Sequence, residues 1–217
     1  MENNQGVATD EWNVYVNEAC ADLYHKLVQQ WAYDRFESET EYQISDNKAM
    51  ELSGSSLIPI DPTGWLALLS VQLTYPNGSV TQLTPFTHLD RDKKYWGGYV
   101  WRRDPIRYRV VMGGQNGRWG SSSVQFEPAD KANGWTGIMR FVPDYVDMVN
   151  DTDQFDGRIT GWDAFVAIEA GIKARRKMRL ETGDLDAERL EILKDIDTAG
   201  YLFNRGGALK QVRRSRW

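Results

Sequence analysis

GWDAFVAIEAGIKARRKMRLETGDLDAERLEILKDIDTAGYLF, residues Gly161 to Phe203, decides the fold. Phe165, Ile168, Ala170, Ile172 and Met178 put apolar groups at helical spacing between Trp162 and Glu181. Thr182-Gly183-Asp184 then reads as a stop and a restart, with Gly183 suited to a left-handed C-terminal cap and Asp184 to the next N-cap. From Leu185 to Phe203 a second helix carries Leu185, Ile192, Leu193, Ile196, Ala199 and Phe203 along one side. Each helix is about twenty residues, about 30 Å at 1.5 Å per residue, and together they make an αα-hairpin.

Working outward, residues 10–33 form another amphipathic helix. Thr9 can cap it, Asp10 and Glu11 favour its dipole, and Trp12, Val16, Ala19, Leu23, Leu27 and Trp31 recur every three or four residues. That stripe needs a partner, and the hairpin offers one. The residues expected to pack this helical core are Trp12, Leu23, Leu27, Trp162, Phe165, Ile168, Ile172, Leu193 and Ile196. Between the helices the period changes to two. Phe36 to Ser45 alternates with Glu37, Glu39 and Glu41, giving a strand with one acidic face, which is either solvated or lines the lumen of an assembly. A hairpin spans 69–84 around Pro76-Asn77-Gly78, and further strands span 106–112, 122–127 and 136–142. His88 to Tyr95 reads as one short helix. The fold class is therefore α+β: a helical core (1–35 and 145–204), an inserted antiparallel β domain (36–144) and a basic C-terminal tail (205–217) expected to be extended, because Gly206-Gly207 interrupts the helical pattern.

The chain of 217 residues has a formal net charge of −5, unevenly spread. Twelve basic and seven acidic residues lie between Lys173 and Trp217, a surplus of five, so the part before Lys173 carries −10. An acidic majority with a basic end suits a charge-matched protein partner or contacts between copies. Nine Trp and ten Tyr favour either an aromatic core or extensive subunit contacts. The single cysteine, Cys20, excludes an internal disulfide and fits a reducing compartment. The opening residues carry no signal-peptide pattern, and no apolar run approaches the roughly 18 residues that span a bilayer.

No constellation carries catalysis. Only His25 and His88 are present, and HExxH, CxxC and GxSxG are absent. Gly113 to Gly117 lacks the GK[ST] of a phosphate loop and reads as a hairpin turn, while Asp151, Asp153 and Asp156-Gly157 lack calcium-loop spacing. No enzyme activity, metal or cofactor is expected. Lys173, Arg175, Arg176, Lys177 and Arg179 form the densest basic face on a helix, a solvated face or a contact with DNA phosphates or an acidic neighbour.

The order of these parts resembles the head-to-tail adaptor (connector) proteins of tailed phages. Gly161-Trp-Asp-Ala-Phe-Val-Ala-Ile-Glu-Ala-Gly-Ile-Lys173 is similar to the family's Gly-Trp-(Asp/Glu)-x-(Tyr/Phe)-(Ile/Val)-x-x-x-x-Ala-Ile-Lys segment. As in the family, an acidic break (Glu181 to Asp184) and a second helix ending near an Asn-Arg pair (Asn204-Arg205) follow. Fainter echoes are Ala21-Asp22-Leu23-Tyr24, Pro105-Ile106-Arg107-Tyr108-Arg109, Phe126-Glu127-Pro128 and Phe141-Val142-Pro143. Gly171 replaces the family's usual Ala, the second helix is more charged, and the tail is unusually basic.

The resemblance implies a structural subunit of the virion neck, made in the host cytoplasm. It would form a ring, commonly of twelve copies, under the portal protein and join it to a further tail or nozzle protein. DNA would pass through the lumen without sequence-specific binding, and no membrane is involved. On this expectation the tail docks on the portal through Leu209, Lys210, Val212, Arg213, Arg214, Arg216 and Trp217, where arginine forks and a tryptophan anchor suit an interface. Two rivals stand beside it: a nucleic-acid-binding module using the basic C-terminal region, and a carbohydrate- or protein-binding β-sandwich using exposed Trp.

Overall fold

The structure is a computed structural model that describes residues 6–30, 35–53, 56–86, 106–115, 118–127, 131–149 and 161–214. The elements are α1 (Thr9–Gln30), β1 (Ser38–Ser45), β2 (Lys48–Ser53), β3 (Ser56–Pro59), β4 (Trp65–Thr74), β5 (Val80–Gln82), β6 (Arg107–Gln115), β7 (Arg118–Glu127), β8 (Thr136–Pro143), α2 (Asp163–Lys177) and α3 (Gly183–Arg214). The chain is thus a mixture of three helices and an antiparallel curled sheet, in two compact units: Met1–Phe36 with Tyr145–Trp217, and Glu37–Asp144.

In the helical unit, α1 buries Ala19, Cys20, Leu23, Tyr24, Leu27 and Val28, the inner stripe that its period requires. The helix starts differently from expectation. Thr9 is already helical, and the Glu11 carboxylate reaches back to accept from the Ala8 N–H at 3.3 Å, the reciprocal half of a capping box. Opposite α1, α2 buries Phe165, Val166, Ile168, Ala170, Ile172 and Ala174. α3 adds Ile196, fully buried, with Leu193 half-buried. Trp12 is a correction: it is 39% exposed, in the first turn of α1 and edge-on to Tyr15, two turns before the stripe becomes buried at Ala19. Trp162 is half-buried at the N-cap of α2, where its carbonyl accepts from the Phe165 N–H at 2.9 Å. After β8 the chain is tied along α1 by Asn17, whose amide donates to the Met148 carbonyl and accepts from the Met148 N–H, each at 2.9 Å.

The α2–α3 turn corrects both expected caps. α2 ends at Lys177, and Arg179 takes the left-handed conformation, φ +58°. Leu180 N–H bonds the Arg175 carbonyl at 2.9 Å and Arg179 N–H the Arg176 carbonyl at 3.1 Å, a Schellman motif with arginine where glycine is usual. Gly183, expected as the cap, instead opens α3. Thr182 precedes it, accepting from the Asp186 N–H through its carbonyl at 2.8 Å and donating its hydroxyl to the Asp186 carboxylate at 2.7 Å. The expected break at Gly206-Gly207 does not occur either, since α3 runs on to Arg214. Glycine weakens a helix, but it keeps the N–H that the i→i−4 bond needs. The extended tail from 205 is therefore corrected to helix through Arg214, and Arg216 and Trp217 lie outside the described residues.

The β unit is one antiparallel sheet in the order β5-β4-β8-β1-β2-β7-β6, with β3 paired to β2. Bulges between Trp65 and Ala67, Leu68 and Ser70, and Val111 and Gly113 curl it. The curl brings the ends of the sheet order together: Phe86 N–H bonds the Tyr108 carbonyl at 2.6 Å, and Pro85 bridges Tyr108 just past β5. Tyr42, Ile44, Val71, Leu73, Phe126 and Met139 fill the interior. Tyr42 stacks on Phe126 at 5.4 Å and donates its hydroxyl to the Gln72 carbonyl at 2.9 Å. It can do so only because position 137 is glycine: a β-carbon there would stand 2.0 Å from the Gln72 carbonyl oxygen and 2.7 Å from the Tyr42 ring.

β2 and β3 carry no expectation from the sequence. The two-residue turn before β2, Asp46-Asn47, has φ of +48° and +68°, as hairpin turns with two left-handed residues do. The expected helix at His88–Tyr95, Trp31 and the acidic turn at Asp151 to Gly157 lie outside the described residues.

Candidate functional site

The densest charge feature is the cation row on α2, and the fold fixes its surroundings. α1 and α2 run antiparallel, so the carboxylates of α1 face it. Lys173 Nζ stands 2.9 Å from Glu18 Oε2 and 3.3 Å from Asp22 Oδ2, and Lys177 pairs with Glu11 nearer the start of α1. From the other side α3 supplies Asp184, 2.7 Å from Arg175 Nη1, and Asp186, 3.4 Å from Arg176 Nη2. Arg175 also donates to the Glu181 carbonyl at 3.3 Å, so one guanidinium spans the α2–α3 turn.

The electrostatics follow from these pairs. Burial alone would lower the Lys173 pKa, but Glu18 and Asp22 together outweigh it and hold the ammonium above the ordinary lysine range. The Lys177–Glu11 hydrogen bond raises the lysine, and that bond and the Ala8 N–H lower the glutamate. Arg175 and then the Leu185 N–H hold Asp184 below the usual carboxylate range. The four cations of α2 are thus matched by carboxylates of their own unit, while Arg179, beyond its end, projects from the turn, exposed. Surface pairs of this kind are individually weak, yet they orient helices and spend the positive charge that a phosphate would need.

Deeper between α2 and α3, Glu169 is 6% exposed and lies 2.6 Å from Arg189 Nε. The sequence reading missed this pair. Glu169 sits among the apolar positions of α2, and only an unexpected carboxylate on an inward face could have signalled it.

The other sequence candidates are placed as follows. Leu23, Leu27, Phe165, Ile168, Ile172 and Ile196 are buried in the helical unit. Leu209, Lys210, Val212, Arg213 and Arg214 fall on the last turns of α3. Cys20 is fully buried; burial pushes its thiol pKa up, against a smaller opposite effect of the Tyr145 hydroxyl. His25 lies half-buried beside the Tyr24 ring. Glu37, just before β1, and Glu39 on it hold Arg140 between them, at 3.2 and 3.6 Å from its Nε. Among the described residues no group of three or more His, Cys, Asp or Glu is placed to hold a metal, and no helix is long and apolar enough to cross a membrane. No protein-family model matches the chain, and neither does any curated protein.

Proposed function

We propose that the chain is a non-enzymatic structural subunit of a tailed-phage neck, a head-to-tail adaptor that forms a ring of twelve copies under the portal protein. In this reading the three-helix unit is the core and the β unit an insertion into it. The observation that carries the reading is that the adaptor-like segment Gly161–Lys173 opens α2, and that α2 packs against α1 from the other end of the chain. The basic end of α3 and the residues beyond it, Leu209 to Trp217, dock on the portal. The opposite side of the ring receives a further tail or nozzle protein, and DNA passes through the lumen without sequence-specific binding. The acidic balance of the rest of the chain supports this, because carboxylates do not grip passing phosphates.

The rival reading, a nucleic-acid-binding module, needs free cations. It loses support where Lys173, Arg175, Arg176 and Lys177 face carboxylates of their own unit, and keeps it only for the end of α3. Deleting residues 208–217 tests both. The adaptor reading expects an almost unchanged melting temperature and loss of attachment to portal-bearing heads. Undiminished decoration of heads by the truncated protein would remove the tail as the dock, and salt-sensitive DNA binding lost with the tail would favour the rival.

A further inference from the structure

Arg179 stands at φ +58°, where glycine is usual and a side chain is strained. Its side chain is exposed, and among the described residues no carboxylate pairs with it, unlike the four cations that precede it. On either side of it the turn holds a large apolar group in water: Met178 is 38% and Leu180 is 56% exposed. A strained backbone thus presents one unpaired cation between two apolar side chains. The turn itself does not require this, because glycine would make the same cap without strain. Strain that the fold does not need points to a role for the side chain.

The β unit carries the complementary arrangement on its outer face. Tyr42 and Ile44 of β1 are buried in the interior, so Glu39 and Glu41 point outward. Glu41 pairs with Ile138 across β1 and β8 and, one step past the Tyr42–Glu51 pair, lies level with Leu52, which pairs with Leu57. Side chains paired across an antiparallel sheet share a face. Ile138, Glu41, Leu52 and Leu57 therefore form one row over the adjacent strands β8, β1, β2 and β3. Leu52, Leu57 and Glu41 are all exposed. Glu39 is engaged with Arg140, whereas among the described residues no cation pairs with Glu41. One unpaired carboxylate thus stands between Ile138 and Leu52, which are two strand spacings, about 10 Å, apart. Met178 and Leu180, two residues apart, span about 7 Å at most, so a turn of that width fits between them.

We propose that the α2–α3 turn of one copy seats on this row of a second copy, with Arg179 on Glu41 and with Met178 and Leu180 against Ile138 and Leu52. Charge complementarity names the occupant: an unpaired guanidinium flanked by apolar groups and an unpaired carboxylate flanked by apolar groups are counterparts, and every copy carries both. A guanidinium–carboxylate pair is stronger where apolar neighbours exclude water, and arginine is among the residues that dominate interface centres. The two surfaces differ, so the contact is heterologous, and a copy that has seated its turn still offers its row to the next. That this repetition closes into a ring rests on the adaptor reading.

The test uses full chains with one new cysteine each, Leu180→Cys in one and Leu52→Cys in the other, treated with a short bismaleimide both in solution and on portal rings. The native Cys20 is fully buried and does not compete. The mixture should link and neither chain alone should, because the contact joins unlike surfaces; using two chains also excludes a link within one. A chain carrying both cysteines should give a ladder of multimers. Arg179→Glu in the first chain should cut linking about tenfold or more, and Glu41→Arg in the second should restore it. Arg179→Gly should raise the melting temperature by about 2–4 °C and still cut linking to the same extent. Undiminished linking by Arg179→Gly or Arg179→Glu overturns the role of Arg179. No linking in solution or on portals that the chain occupies overturns the contact and leaves the adaptor reading standing. Chains that link in solution yet never bind portal overturn the adaptor reading and leave the contact standing. Salt-sensitive DNA binding lost with Arg179→Glu, without any linking, overturns the contact and gives the turn to nucleic acid.

Discussion

Gly137→Ala places a methyl group where the β unit has no room for it. The new carbon would sit 2.0 Å from a backbone oxygen, that of Gln72, and 2.7 Å from both Cζ and Oη of Tyr42. Neither neighbour yields easily: Gln72 is held in β4, and Tyr42 is fully buried and stacked on Phe126. Overpacking a core by one methyl costs about 1–3 kcal/mol. If Tyr42 moves to make room, its bond to Gln72 is lost, and a buried polar group left unpaired costs about 1–3 kcal/mol more. The expected loss is about 3–5 kcal/mol, read by urea denaturation with tryptophan fluorescence. Tyr42→Phe, which removes only the hydroxyl, should cost about 1–2 kcal/mol. In the Tyr42→Phe background Gly137→Ala should cost less than in wild type, because the two side chains meet and share one hydrogen bond. A Gly137→Ala protein within about 0.5 kcal/mol of wild type would refute the close approach.

Gly171→Ala should act in the opposite direction: its new β-carbon would meet Leu185 Cδ1 at 3.5 Å, an ordinary contact, and alanine favours the helix by roughly 0.5–1 kcal/mol, so a drop in melting temperature would mean that α3 packs closer than described. Arg179→Gly should stabilise by about 1 kcal/mol, because it relieves a side chain held at φ +58°; a loss of stability in the same melt would place the worth of Arg179 in its side chain. Burial holds the Tyr42 phenol above its ordinary pKa, and Tyr108 in the same direction. For such a group the folded state stays protonated while the unfolded state ionises, so stability is fully present below about pH 10 and is lost above it, by up to about 1.4 kcal/mol per pH unit for each such phenol. Tyr42→Phe should flatten that alkaline slope, and an unchanged slope would contradict the buried phenol.

The helices were legible because an inner stripe repeats every three to four residues, and Leu23, Leu27, Phe165, Ile168 and Ile172 stand buried where that period puts them. Their ends were not. Met178 and Leu180 prolong the apolar pattern past Lys177, yet the chain turns at Arg179, a residue with no sequence mark of a left-handed cap. β2 and β3 escaped because Asp46-Asn47 lacks the glycine that usually announces a two-residue turn, although asparagine and aspartate tolerate that conformation best after glycine. The α2 cations were read correctly as charges and incompletely as a surface. Their partners Glu11, Glu18 and Asp22 lie some 150 residues away in the chain, and only the packing of α1 on α2 brings them together. Glu169 escaped on a smaller scale, since its partner Arg189, twenty residues on, becomes a neighbour only when the hairpin closes.

The central claim is that this chain assembles under a portal, and imaging it there is the most direct measurement. Purified full-length protein mixed with portal rings, or with portal-bearing heads, should appear by electron microscopy as an added ring on the portal's outer face, coaxial with it. The symmetry should match the portal's own. Portals that remain bare at saturating protein, or protein bound along DNA instead of at the portal, would contradict the account.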